Sequence, residues 1–188
     1  MDEGIGCMID NGSHMLLGAN RNTKDYLERI GSQDCVTEIR PASFPFHDIR
    51  TGAHWTLRPG SPWFPLWLFN RKRRIPGTSP RDYFKTLRLK RASATATVGD
   101  FIRDDDPMME SFWQPLSQAV LNTDAREASA RLLWKALSLS FFKGEAACRP
   151  MIFSRGISTA LVDPAIRLLE SKGAIVRFQS RLRGLRWQ

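Results

Sequence analysis

The chain has 188 residues, of which 42% are hydrophobic, with Pro and Gly at ordinary levels; it is long enough to bury a core, and disordered or low-complexity architectures are excluded. Cys7, Cys35 and Cys148 contain no C-x-x-C pair, so neither a disulfide framework nor a zinc ribbon follows, and a reducing cytoplasm is the natural setting. Lys and Arg number 28 against 19 Asp and Glu, a net charge of +9 that calls for an anionic surface or partner.

The first residues, MDEGIGCMIDNG, carry two acids and no basic or apolar leader region, so no signal peptide is expected. Ile5 to Ile9 predicts a short strand closed by the turn Asp10-Asn11-Gly12. Leu16 to Ile30 predicts a helix stopped by Gly31. Cys35 to Arg40 and His54 to Leu57 predict short strands. Next comes PGSPWFPLWLFN, with Trp63, Phe64 and Trp67, directly before Arg71-Lys72-Arg73-Arg74. Aromatic rings beside a basic cluster suit an anionic lipid surface, where rings sit at headgroup depth and cations meet phosphate. A core helix followed by a solvated basic loop is the plainer reading, and nucleic acid is the least favoured partner.

Pro80 to Ala94 predicts a basic amphipathic helix. Thr97 with Asp100 makes a capping-box-like start for a short helix through Ile102. Pro107 opens a helix carrying Phe112, Trp113, Leu116 and Val120, with a kink expected at Pro115. Asp124, with Glu127 three residues on, is expected to cap the longest helical run, residues 128–142. Asp163-Pro164 starts a helix running to Gly173, and a strand from Ala174 to Phe178 follows. No stretch approaches the roughly 18 uncharged apolar residues of a membrane span. The expectation is an α+β (mixed α/β) chain in three parts: a strand-rich 1–60, a helical 61–160 and a helix–strand 161–188. It would be cytoplasmic and, if peripheral, at the inner face of the membrane. A lone strand leaves its backbone groups without partners, so both terminal strands look incomplete alone.

Self-contained catalytic machinery is missing from the sequence. His14, His47 and His54 show no metal-ligand spacing, so no metal is expected. His47 beside Asp48 reads as a loop pair rather than a catalytic one. Gly4 and Gly6 lack the third glycine of a dinucleotide fingerprint, and neither a G-x-S-x-G elbow nor a Walker A sequence occurs. Asp104-Asp105-Asp106 reads as a loop ahead of Pro107, with no second acidic motif to complete a metal site.

Four ordered stretches go further. Asp10-Asn11-Gly12-Ser13-His14 through Leu17-Gly18-Ala19, with Arg21-Asn22-Thr23 and Leu27 to Gly31, resembles the D-N-G-Q-H…L-L-G-A-Y-x-x-T block of the hydroxysqualene dehydroxylases. These are squalene-associated FAD-dependent desaturases within the flavin amine oxidase superfamily. Leu57-Arg58 with Pro62 to Leu68 resembles the same family's L-R…L-P-x-P-L-H-L region. Phe112-Trp113-Gln114-Pro115-Leu116, then Ala119 and Leu121-Asn122-Thr123, resembles its W-x-P-L-x-x-A-x-L-N-T signature. Pro164-Ala165, Leu169, Gly173 and Val176 follow its P-A…L-x-x-x-G-G-x-V pattern.

The resemblance implies an oxidoreductase in which reduced FAD removes the hydroxyl of hydroxysqualene to give squalene for hopanoid synthesis. The family's pyrophosphate-holding G-x-G-x-x-G and a C-terminal flavin segment have no counterpart here, so the expectation is an internal fragment, inactive alone. On the same grounds Asp10, Asn11 and Gly12 would lie at the flavin, Leu182 would bracket the adenine, and His14 would be a proton donor. Ser13 and Asn20 depart from the family's Gln and Tyr, which puts contacts there in doubt. Phe112, Trp113, Leu116, Trp134 and Phe141 would line a tunnel for the polyprenyl substrate; apolar residues at helical spacing read equally well as core. Related flavin amine oxidases or polyprenyl desaturases, and a non-catalytic lipid-binding remnant, remain alternatives.

Overall fold

A computed structural model describes residues 4, 6, 10, 15–60, 66–181, 183, 184 and 186, and of Leu66 and Trp67 only the backbone. The expected strand over Ile5–Ile9 falls outside the described residues. In chain order the elements are β1 (Leu16–Leu17), α1 (Arg21–Arg29), β2 (Val36–Glu38), β3 (Phe44–His47), β4 (His54–Leu57), α2 (Pro80–Phe84), α3 (Gln114–Leu121), α4 (Ala130–Leu139), α5 (Glu145–Cys148), β5 (Pro150–Phe153) and α6 (Asp163–Ser171). Short 3-10 and π turns lie between several of them. The fold is α+β, mostly helical with small sheets, as the sequence predicts. Two units form, one of residues 1–15, 20–37 and 151–188, the other of 16–19 and 38–150.

The second unit holds the main core. Strands β3 and β4 pair antiparallel, with Phe46 opposite Trp55 and His47 opposite His54. The Phe46 and Trp55 rings stack at 5.5 Å. Sequence reasoning finds β4 but not β3, which carries Pro45. In a two-stranded ribbon each strand is an edge, where a missing N–H is tolerated.

The expected basic helix begins at Pro80 and tightens after Phe84 into a 3-10 stretch, Lys85–Arg91. A three-residue period puts Thr86 and Leu89 on one face, and both are buried. The Asp106 carboxylate accepts from Lys85 Nζ at 2.6 Å and from the Met108 N–H at 2.9 Å, tying this stretch to the next turn. Thr97 and Asp100 do exchange both capping bonds, at 2.8 and 3.3 Å. The segment nevertheless makes a turn rather than a helix, with the Phe101 and Ile102 N–H groups both on the Val98 carbonyl.

The kink expected at Pro115 takes the form of a π turn over Met109–Trp113, in which the Phe112 and Trp113 N–H groups both reach the Met108 carbonyl. Pro115 has no N–H to close an α-turn onto Ser111, so the hydrogen-bond phase shifts just ahead of it. Asn122, at φ 52°, ends α3 in the left-handed region that asparagine tolerates. The cap of α4 is Ser129, whose hydroxyl accepts from the Leu132 N–H. Asp124 is a correction: it closes the preceding turn, its carbonyl taking the Ala128 N–H and its carboxylate the Arg126 N–H. The chain must first bridge to 96–98, through Val98 N–H to Ala128 O and Ala130 N–H to Ala96 O, before α4 can start. These elements close over Trp113, Val98, Ile102, Met108, Met109 and Leu133, all essentially buried.

The same unit contains a strand edge that sequence reasoning misses. Residues 16–19, expected to open a helix, instead form the short strand Leu16–Leu17 and a turn: the Gly18 N–H donates to Arg149 O and the Ala19 N–H to Ala147 O, both at 2.9 Å. On the other side the Ile39 N–H donates to Pro150 O, which sets the strand order β1-β5-β2. A Cβ on Gly18 would stand 2.0 Å from the Ala146 carbonyl oxygen, so only glycine permits this approach. Nearby, Arg149 grips the Glu145 carboxylate with Nε at 3.0 Å, and the Ala42 N–H donates to the same group at 2.7 Å. Arg149, then the Ala42 N–H, hold the Glu145 carboxyl below its ordinary value against the opposing effect of burial.

In the first unit, α1 buries Leu27 and ends as expected at Gly31, φ 67°. Tyr26 Oη donates to Leu161 O at 2.9 Å, and the Ser154 N–H and hydroxyl both donate to Cys35 O. Helix α6 starts at Asp163-Pro164 and is followed by Gly173 at φ 83°, matching its sequence signals. The strand expected over Ala174–Phe178 is absent: these residues are irregular, with Ile175 81% and Phe178 69% exposed. A strand without a hydrogen-bonding neighbour has no ladder to stabilise it.

Gly18→Ala should lower stability by about 3 kcal/mol in urea unfolding, because backbone must move. Gly52→Ala, at φ 70° with nothing near its Cβ position, should lose only about 1 kcal/mol. Equal losses would refute the close-approach account. Because Glu145 is depressed below 4.5 in the folded chain, its contribution is present above that pH and lost as pH falls through the folded value. The stability gap between the wild type and Glu145→Gln, about 1 kcal/mol at neutral pH, should therefore shrink in acid unfolding measurements below pH 4.5. A pH-independent gap would contradict it.

Candidate functional site

Of the residues singled out at the flavin, Asn11, Gly12 and Leu182, with the proton-donor candidate His14, lie outside the described residues. Asp10 is described. Both its carboxylate oxygens face the Ile157 N–H, at 3.0 and 2.9 Å. Gly156, at φ 80°, lets the backbone come this close, since a Cβ there would stand 3.2 Å from Asp10 Oδ1. Asp10 thus bonds to the turn that leads into the π turn Ser158–Val162. A carboxylate closed onto a backbone N–H is a joint, not a cradle. The described residues by themselves do not fit an FAD site.

The substrate-tunnel candidates gather around α3 and α4 in the second unit. Phe112 and Trp113 belong to the packed core, their rings edge to face at 5.1 Å. Leu116, Trp134 and Phe141 are half-buried against that core. Phe141 meets Phe44 at 5.9 Å, and Trp134 meets Phe142 at 5.2 Å. Two buried polar atoms interrupt the apolar surroundings: Trp113 Nε1 and Ser117 Oγ have no hydrogen-bond partner. They sit four residues apart and so on one helix face. Sequence reasoning passes over Ser117, since a serine in a helix carries no signal of its own burial.

Most of the described carboxylates have a hydrogen-bond or ion-pair partner. Asp104 pairs with Arg126 at 2.9 Å, Asp105 with Arg103 at 3.0 Å, and Asp106 with Lys85 at 2.6 Å, so each acid of the run has its own cation. Among the described residues no His, Cys, Asp and Glu cluster has the makings of a metal site. Asp48 turns from His47 to accept the Arg50 N–H, which holds its carboxyl below the usual range. Burial, with a smaller push from Glu145, drives the Cys148 thiol up to about 12, so it is no nucleophile at neutral pH.

The basic segment lies on the surface. Trp63 and Phe64 fall outside the described residues, and Trp67 is described only as backbone within a 3-10 turn, Leu66–Phe69. Phe69 is 62% exposed, and Arg71, Lys72 and Arg73 are exposed beside it, while Arg74 is partly buried. Among the described residues no helix is long and apolar enough to cross a membrane.

No family model matches the chain, and no solved structure matches it. Curated proteins do. The chain is 36% identical over 184 residues to a hydroxysqualene dehydroxylase of Sinorhizobium fredii, 37% over 184 residues to one of Rhodopseudomonas palustris, and 34% over 182 residues to one of Zymomonas mobilis. Each alignment takes in 97–98% of this chain and 44% of the relative, so the chain spans under half the length of the proteins it matches.

Proposed function

Because this chain belongs by sequence with the hydroxysqualene dehydroxylases, we propose that it supplies the substrate side of an oxidoreductase that reduces hydroxysqualene to squalene, for hopanoid synthesis. The observation that supports this is identity of 34–37% sustained across nearly all of the chain's own length. For the whole protein the resemblance implies FAD as reductant, with Asp10, Asn11 and Gly12 on the flavin side, Leu182 at the adenine and His14 as proton donor. The 188 residues contain no G-x-G-x-x-G, the phosphate-gripping turn of such folds, which supports a reading in which the chain alone is inactive.

In this reading the half-buried Leu116, Trp134 and Phe141 contact the polyprenyl chain, with Phe112 and Trp113 forming the packed wall behind them. An apolar wall excludes water, and the unpartnered Trp113 Nε1–H and Ser117 hydroxyl supply the polar spot that a hydroxyl-bearing substrate needs. The substrate and product are membrane lipids. Exposed Phe69 beside Arg71, Lys72 and Arg73 supports a resting place at an anionic lipid surface, to which Trp63, Phe64, Trp67 and Arg74 also contribute.

A chimera of the Zymomonas mobilis relative carrying these 188 residues in place of its own matching stretch should still convert hydroxysqualene to squalene, read by product analysis. A chimera that binds flavin normally but yields a desaturated polyprenyl product, or none, would sink the substrate assignment. The purified chain mixed with FAD and desalted should show no stoichiometric flavin spectrum; a one-to-one flavin band would contradict the inactive-alone part. In vesicle co-sedimentation, phosphatidylglycerol should retain the chain, and Phe69→Ser should weaken retention about tenfold. Equal retention on neutral vesicles would remove the surface reading.

A further inference from the structure

We infer that the second unit carries a discrete binding site for a phosphate group, in the groove between strand β4 and the loop that follows the basic segment. The groove has about 560 Å³ of space and is lined by His54, Trp55, Arg71, Lys72, Arg74 and residues of the 75–79 loop. Among the described residues no carboxylate lines it, and no ion pair engages Arg71, Lys72 or Arg74.

The polar groups of the loop are largely closed on one another. Tyr83 Oη accepts the Ile75 N–H at 2.8 Å and lies 3.2 Å from Thr78 Oγ1, which donates to Ile75 O at 2.7 Å. The Ser79 N–H and hydroxyl both donate to Asp82, at 2.8 Å, and Asn70 Oδ1 takes the Lys72 N–H at 3.0 Å. Against this background two donors stand out. Trp55 Nε1 and Arg74 Nε are shut off from water and meet no acceptor.

Both groups only donate. Their residues are on the walls of one groove that offers positive charge and no competing acid, so the missing component is an anion rich in acceptors. A phosphate group fits: three acceptor oxygens satisfy the guanidinium, the Lys72 ammonium and, after a small side-chain rotation, the indole N–H. The braced loop keeps the site formed without ligand. This goes beyond diffuse attraction to a charged surface, because Arg73, on the same segment, is exposed and not on the groove wall. It rests on the surface reading only for one of two phosphate sources, a lipid headgroup, the other being a soluble phosphate or diphosphate.

The test uses the full 188-residue chain with inorganic phosphate, with pyrophosphate, and with vesicles of phosphatidic acid or phosphatidylglycerol matched in surface charge. Saturable one-to-one binding of a soluble anion is expected if the source is soluble. Preference for phosphatidic acid over phosphatidylglycerol is expected if it is a headgroup. In either arm Arg74→Lys, which keeps the charge but loses the fork, and Trp55→Phe, which keeps the ring but loses the N–H, should each weaken binding about tenfold. Arg73→Gln should leave soluble-anion binding and the preference for phosphatidic acid within twofold. Unchanged soluble-anion binding and headgroup preference in Arg74→Lys, an equal loss of them in Arg73→Gln, or no saturable binding to any of the four probes would overturn the site. Should Trp55→Phe unfold, the Arg74→Lys and Arg73→Gln pair still decides. Vesicle binding that fails while soluble phosphate binds leaves the groove standing and removes only the membrane.

Discussion

The buried carboxylate of Asp106 is the constraint on which much of the larger unit depends. It takes the Lys85 ammonium on one oxygen and the Met108 N–H on the other. Burying a charge is costly unless it is paired and hydrogen-bonded, and here one group meets both needs. It thereby sets the basic 3-10 stretch, with Leu89 turned inward, against the start of the π turn that delivers Trp113 to the core. Asp106 also raises Lys85 above its ordinary value, with Asp82 adding to the effect, so the ammonium stays charged well beyond neutral pH. The helices around the core are short, and a few such joints do the positioning that long helices achieve by length.

What could be read in advance follows the range of the interaction. Helix stops at Gly31 and Gly173 and the start at Asp163-Pro164 are local events, written within four residues of where they act, and they stand where expected. Thr97 and Asp100 form their reciprocal bonds but no helix, because the neighbouring backbone is claimed by 128–130. Strands fared worse. Residues 16–19 read as helical from their apolar spacing, and became a two-residue strand and a turn because Arg149 and Ala147, far along the chain, offered carbonyls. The tail from Ala174 has the composition of a strand and none of the pairing.

The candidate site divides along the same line. The motif blocks around Asp10 and Phe112 are contiguous, so a resemblance to a family of squalene-forming enzymes was visible in the residues alone. The phosphate groove was not, since Trp55 and Arg74 mean nothing at their spacing and acquire meaning only when the fold lays β4 beside the loop. Nor does any sequence rule announce that Trp113 and Ser117 would be buried with unsatisfied polar atoms. Aromatic residues at helical spacing and a tunnel lining look identical until packing is known, and in this chain core and candidate substrate wall share the same side chains.

The composition of the smaller unit has a consequence for how the chain is made. Residues 20–37 close onto 151–188 through Tyr26 to Leu161 and Ser154 to Cys35, with residues 38–150 intervening. Most of the larger unit is one continuous stretch with largely local contacts and can form as soon as it leaves the ribosome. The smaller one has to wait until residues 151–171 have been made, with α1 tethered but unpartnered, because its contacts must close a long loop before they return any stabilisation. Vectorial synthesis therefore imposes an order on the two, and the half that carries the Asp10 joint is the last to be completed.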